Sequence, residues 1–408
     1  MHDEVSRLVG IDGMAVTGVA DHGWWIELEV EMLARAGCCR WCGRGSLVVK
    51  ERDRVRVRDL PLAGRMTYLC WRKRRFWCEA CARTFTETHP ALPSRQRVSA
   101  RFRQHLFGRC QGGGAHAEVA RDECTSRYQV QRAFLLGGDE LLARRENGPP
   151  RRLSLDEAHH RRGRELATVV SDLDRRRVID VVPGCTRRVI ERWLTGLPPE
   201  VRAGIEVISI DPSDAYRHAI WAALPDARIV CDRFHLVRGA NTALDAVRRE
   251  RQRDARAKRP KGTRRSGQHV RWRPDLYQAR HRLLKASERL TERERRRLCD
   301  LFGRDPVLAE AWGLKERFRQ IYGATSRAEA QQRLEAFLVA VEHAALPAFD
   351  AFAKAVCSWR QELLAYFDEP TTNGYAEGVI NKVKVIKRRA YGLPTFAGFR
   401  KRVVIACG

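Results

Sequence analysis

Carboxylates are scarce in this sequence. Asp and Glu total 50 against 77 Lys and Arg, a formal net charge of +27. From Pro370 to the C-terminus a single acid, Glu377, stands among eight basic residues. A solvated basic surface does not call for so wide an excess of cations, whereas a partner with regularly spaced phosphates does. Lysine is scarce as well, at 11 of the 77 basic residues. Arginine forks onto phosphate oxygens better than lysine does, although a G+C-rich genome also raises its share. No uninterrupted apolar run approaches the ~18 residues of a membrane span, and no N-terminal segment reads as a signal peptide. The expectation is a cytoplasmic protein with no membrane partner. In that compartment the 13 cysteines should be thiols or metal ligands, not a disulfide framework.

What is present is enough chain for two or three domains, 408 residues with an ordinary hydrophobic content of 44%. Residues 1–92 read as short alternating strands, such as MAVTGV, WWIELEV, RVRVRDL and MTYLCWRKRRFWC. Residues 95–147 read as two or three helices broken at QGGG (111–114), with ENGPPRR (146–152) as a linker. From 153 the order strand, strand, strand, helix, strand, helix, strand argues for a mixed α/β sheet. From about 236 to 370 no strand is evident, and TERE (291–294) and SRAE (326–329) have capping-box spacing. The stretch 248–273 carries twelve bases and two acids; it fits a disordered solvated run as well as an ordered nucleic-acid contact.

Three constellations carry chemistry. Cys39-x-x-Cys42 and Cys78-x-x-Cys81 are paired knuckles, and four thiolates complete a tetrahedron, so a structural zinc ion is expected. In AHAEVARDECTSRYQVQRAF (115–134), Val119 and Ala120 suit a first helix, Cys124 a turn, and Ser126 the start of a second helix. With Val130 and Phe134 turned inward, Arg127, Tyr128, Gln129 and Gln131 or Arg132 are free to meet a major groove. Finally, Asp156 and Asp211 each close an apolar strand. Acids on neighbouring strand ends can share divalent cations, and oxygen donors suit Mg²⁺ or Mn²⁺. Asn373 and Gly374 would start a last helix bringing Glu377 to the same ions, with Asn381, Lys384 and Arg388 near its face at helical spacing.

Together these segments resemble the DDE transposases of bacterial insertion sequences, specifically the ISL3 family. The resemblance rests on FWCEACARTF, LSLDEAHHRRGRELATVVSDLDRRRVIDVV, ISIDPSDAYRHAIWAALPDARIVCDRFHLV and NGYAEGVINKVKVIKRRAYG, in that order. It implies a zinc-binding domain at 1–93, a helix-turn-helix at 94–150, and a ribonuclease-H-like catalytic domain at 151–238 and 370–408. The catalytic domain would be interrupted by a helical insertion at 239–369. Carried over by motif, the catalytic triad is Asp156, Asp211 and Glu377. DRFH (232–235) matches a family pattern of an acid or Cys, two residues, then His. Asp232 and His235 are therefore given a supporting role, with Asp232 the alternative second acid. His159 and His160 depart from the residues expected after the first Asp. The implied activity is phosphodiester hydrolysis at transposon ends followed by transesterification into target DNA, with Lys384, Lys387 and Arg388 steadying the strand. The partner would be double-stranded DNA on the nucleoid, with a homo-oligomer pairing two ends. The alternatives are a non-catalytic DNA-binding regulator on the same scaffold, or a metal-dependent nuclease.

Overall fold

The computed structural model describes residues 2–94, 96–145, 148–160, 165–257, 274–371, 374–390 and 395–408. Asn373 and most of the basic stretch, residues 258–273, lie outside them. The chain forms two compact units: Met1–Glu146 with Lys384–Ala406, and Asn147–Val383 with Cys407 and Gly408. Among the described residues, no helix is long and apolar enough to cross a membrane.

The first unit opens with a helix, α1 (His2–Val9), where alternation suggests only strands. Val5 and Val9 supply an apolar i, i+4 pair too short to register as a periodic signal. Strands β1 (Met14–Asp21), β2 (Trp25–Met32), β3 (Gly37–Cys38), β4 (Gly45–Ser46), β5 (Val49–Leu62), β6 (Arg65–Cys78) and β7 (Arg83–Thr86) follow. The main sheet runs β1-β2-β6-β5, with β7 on β6. Its centre is β6, whose Leu69 and Trp71 pack with Leu28, Val30 and Val57 on one face, as the two-residue period of a strand requires. At its far end Phe76 stacks on Phe85 (centroids 5.5 Å apart). A Cβ on Gly37 would sit 2.6 Å from the Phe76 ring, so only glycine lets β3 approach there.

Helices α2 (Ala100–Gln111), α3 (His116–Asp122) and α4 (Arg127–Ala143) come next. Ser99 caps α2 by accepting from the Phe102 N–H at 3.1 Å and donates to the buried Asp59 of β5 at 2.6 Å; Arg101 pairs with the same carboxylate. Val119, Ala120, Val130 and Phe134 are buried with Phe102 and Leu106, and Ile405 from the C-terminal segment joins that core.

The second unit holds β8 (Arg152–His159), β9 (Leu166–Asp172), β10 (Arg177–Pro183), α5 (Arg187–Thr195), α6 (Pro199–Ala203), β11 (Val207–Ile210), α7 (Asp214–Ala223) and β12 (Arg228–Cys231). The sheet order is β10-β9-β8-β11-β12. β9 runs antiparallel to both β8 and β10, while β8, β11 and β12 are mutually parallel. Helices α8 (Arg233–Ala257), α9 (Pro274–Leu284), α10 (Glu292–Arg304), α11 (Pro306–Ile321), α12 (Arg327–Ala344), α13 (Pro347–Ser358) and α14 (Arg360–Ala365) follow. Thr291 and Glu294 form the expected reciprocal capping box on α10. On α12 the box is offset: Ser326 accepts from Glu329, but the Glu329 carboxylate takes the Thr325 N–H at 2.7 Å. One continuous buried cluster joins Leu155, Ile208 and Ile210 of the sheet to Leu283, Phe318, Phe337 and Leu364 of these helices. Helices α15 (Gly374–Arg389) and α16 (Phe396–Cys407) close the chain.

Candidate functional site

The strand register places three acids side by side. Leu155 of β8 pairs with Ile210 of β11, and Ile210 pairs with Cys231 of β12. The next residue in each strand direction is an aspartate: Asp156, Asp211 and Asp232. Parallel neighbours lie about 4.8 Å apart, so three carboxylates stand in a row, Asp211 and Asp232 just past the ends of β11 and β12. Such strand ends are where open α/β sheets take ligands. Asp156 does not close its strand as the sequence suggests: β8 runs on to His159, and Asp156 pairs with Val169 of β9.

Asp211, Asp232 and His235 form a group whose ligand atoms all lie within 4.8 Å of one another. His235 sits on the first turn of α8, and its Nδ1 is 2.8 Å from Asp211 Oδ1 and 3.0 Å from Asp232 Oδ2. One ring N–H aligns with only one of them. It hydrogen-bonds to Asp232, leaving the buried Asp211 Oδ1 with an ionic neighbour but no hydrogen bond. The carboxylates of Asp211 and Asp232 hold the His235 imidazolium up to about 10. Burial, then the charge of Asp211, pushes Asp156 up to about 6, against a 2.7 Å hydrogen bond from the Glu157 N–H. Glu157 is raised too, by burial first and Asp211 second. The sequence motifs assign it no role, although an acid directly after a candidate metal-binding acid is the signal that could have found it.

Glu377 lies exposed on the first turn of α15 and does not belong to the Asp211, Asp232 and His235 group. Lys384, Lys387 and Arg388 follow on the same helix, Lys384 and Arg388 exposed and Lys387 half-buried. Seven residues of helix separate Glu377 from Lys384, a rise of about 10 Å and close to two full turns. Burial lowers Lys387.

In the first unit the four knuckle cysteines form one cluster. Sγ of Cys39 is 3.6 Å from that of Cys81, and Sγ of Cys42 is 3.5 Å from that of Cys78. Burial acts to raise Cys39, but the N–H groups of Trp41 and Cys42 and the facing thiols outweigh it and lower Cys39. Cys38 turns away, exposed, toward the Gly43 carbonyl. Four soft donors with polarising amides around the first of them match a tetrahedral zinc ion.

On α4, Ser126 caps by accepting from the Gln129 N–H at 3.2 Å. Cys124, at φ 47°, makes the sharp turn after α3. Val130 and Phe134 face inward, as expected. Arg127, Tyr128 and Gln131 are exposed, Tyr128 by 67%, while Gln129 and Arg132 are half-buried.

Comparison with known proteins completes this picture. Residues 153–403 match the family model for the transposase of ISL3-type DDE elements. Residues 35–81 match the zinc finger of the transposases of IS204, IS1001, IS1096 and IS1165. The chain is 29% identical over 384 residues to a transposase for insertion sequence element IS1001 from Bordetella parapertussis, covering 91% of this chain and 89% of that one. It is 31% identical over 252 residues to a transposase for IS1557 from Mycobacterium tuberculosis, covering 59% and 56% respectively.

Proposed function

The chain belongs to the ISL3 family of DDE transposases, and from that premise we propose that it binds the terminal inverted repeats of its own insertion sequence, cuts there and joins the freed ends to target DNA. The observation that carries this reading is the register Leu155–Ile210–Cys231, which sets three acids side by side across β8, β11 and β12. The strand order β10-β9-β8-β11-β12, with β9 antiparallel, supports reading the sheet as ribonuclease-H-like.

Asp156, Asp211 and Glu377 are the proposed catalytic acids. Hard oxygen donors, a buried Asp211 oxygen without a hydrogen bond and an Asp156 held up by burial and like charge fit a site short of positive charge. These residues would hold Mg²⁺ or Mn²⁺. When bound, such ions activate an attacking hydroxyl and stabilise the leaving oxygen. His235, held between Asp211 and Asp232, fixes the rotamer of both and offsets part of their charge. Lys384, Lys387 and Arg388 contact strand phosphates, so the one acid of the C-terminal segment handles metal while its neighbours hold DNA. Water attacks the phosphodiester at the element's end and frees a 3′ hydroxyl; that hydroxyl then displaces a 3′ oxygen in target DNA. Cys39, Cys42, Cys78 and Cys81 would hold zinc as a structural ion. Helices α3 and α4 act as a helix-turn-helix, with Arg127, Tyr128, Gln129, Gln131 and Arg132 toward the major groove. Pairing two ends calls for a homo-oligomer on the nucleoid.

The test incubates purified protein with Mn²⁺ or Mg²⁺ and labelled duplexes carrying its own element's ends or unrelated sequence. Nicking at the element ends that is lost in Asp211→Asn supports the reading. Binding without cleavage would make the protein a regulator, and equal cutting of both duplexes would make it a general nuclease.

A further inference from the structure

Most exposed arginines on the first unit's sheet already have acidic partners. Arg54 and Arg56 pair with Glu27, Arg72 with Glu29, Arg65 with Asp21 and Arg75 with Glu51. The zinc-knuckle loop departs from this pattern. Arg40 and Arg83 are both exposed, and among the described residues neither side chain has a hydrogen-bond or ion-pair partner. Each instead lies over the same ring in cation–π contact: the guanidinium carbon of Arg40 lies 4.4 Å from the Trp41 centroid, and that of Arg83 lies 5.2 Å from it. Trp41 is 52% exposed, although a tryptophan with no partner is better buried. Its backbone is fixed, because its N–H donates to Cys39 Sγ inside the thiol cluster.

A guanidinium held over a ring face keeps N–H donors free. Cation–π contact contributes roughly 0.5–1 kcal/mol at an exposed site and narrows the rotamers of both side chains before any ligand arrives. We infer that Arg40, Trp41 and Arg83 form a preorganised contact for the phosphate backbone of duplex DNA, and that the metal-binding knuckle exists in part to aim it. This rests on the reading of the protein as a DNA-binding transposase. Charge selects the occupant: two uncompensated forks favour phosphates. Glu79, in the matching position of the second knuckle, is the sole acid within the two CxxC loops.

The experiment measures binding of the full-length protein to its element's end and to unrelated duplex across a salt series. Zinc content is assayed in every variant as the check on folding. The double variant Arg40→Gln, Arg83→Gln should bind both duplexes about tenfold or more weakly and by the same factor, as phosphate-binding residues do. Its slope of log affinity against log salt should fall by about 0.9 for each phosphate that is no longer neutralised. Trp41→Ala should lose a smaller share, and Trp41→Phe, which keeps a ring, should restore most of it. Unchanged affinity and slope with zinc retained would overturn the inference. So would a loss confined to the element's end, which marks base reading, or a loss of self-association with DNA binding intact, which marks a protein surface. If the wild-type protein shows no preference for its element's end, the proposed function fails, while the slope on unrelated duplex still decides this inference.

Discussion

Among the described residues stand two clusters of metal-ligand chemistry, built in opposite ways. The thiol cluster draws on two local CxxC turns brought together by one small sheet, and its four Sγ atoms meet. The acid cluster draws on three strands from separate parts of the chain, and the acid proposed to complete it, Glu377, comes 145 positions after Asp232. Its first three acids align by register, while Glu377 lies apart on α15. On the proposed reading, the difference follows from what each ion is for. A structural ion replaces a hydrophobic core and needs every donor in place. A catalytic site needs room for substrate, and its like charges resist assembly until cation and phosphate arrive.

The largest effect should come from the thiol side. Cys39→Ser, or chelation of zinc, removes an ion whose binding is worth on the order of 10 kcal/mol in small zinc domains. Zinc per chain should fall toward zero, and limited proteolysis should then cut within residues 35–86. If the region stays protease-resistant without metal, the contrast collapses. On the acid side the fold should survive and chemistry should not. Asp156→Asn, Asp211→Asn and Glu377→Gln should each lower end cleavage by more than the ~10–100-fold typical of residues that only support a ligand, with the thermal midpoint little changed. A Glu377→Gln variant that cleaves normally would remove that residue from the triad.

A smaller effect separates ligand from support. His235→Asn should fall within the ~10–100-fold range, read from single-turnover cleavage at saturating Mn²⁺. A loss equal to that of Asp211→Asn would promote it to the catalytic group. The smallest effect controls for acid sensitivity in the thiol-bearing unit. Burial, aided by Arg402 and Arg127, pushes His116 down to about 4. The unfolded chain takes up this proton near the ordinary value of about 6.5, and the folded chain only near 4. Stability from this group is therefore complete above that ordinary value and lost as pH falls through the window. Urea midpoints at neutral pH and near pH 5 should converge in His116→Gln relative to wild type. An unchanged gap would assign the acid sensitivity elsewhere.

Much of this is legible without coordinates, for reasons that differ by element. β11 and β12 announce themselves because buried parallel strands are apolar on both faces and each here gives way to an aspartate. β8 is legible as far as Leu155, but its extension through Asp156 to His159 depends on pairing with β9. The knuckles are legible because CxxC is a local spacing. The turn into α4 is legible through its Ser cap and inward Val130 and Phe134. What local pattern does not encode is pairing at a distance. Nothing in β2 or β6 says that they run parallel. Likewise, nothing in the C-terminal residues announces that Ile405 joins the core of α2–α4, or that Lys401 reaches the Leu135 carbonyl of α4 at 3.2 Å. The motif alone gives His235 a supporting role. That it touches two acids at once depends on β11 and β12 being neighbours, which only the sheet reveals.

The shared cluster linking the sheet to α9–α14 has a practical consequence. Phe318, Phe337 and Leu364 belong to the same buried core as Ile208 and Ile210, so the all-helical stretch is not cargo that evolution or an engineer can discard. Trimmed derivatives that keep only the strands and their acids should come out of cells as inclusion bodies, and any smaller relative must have found other apolar mass to pack with those same two isoleucines.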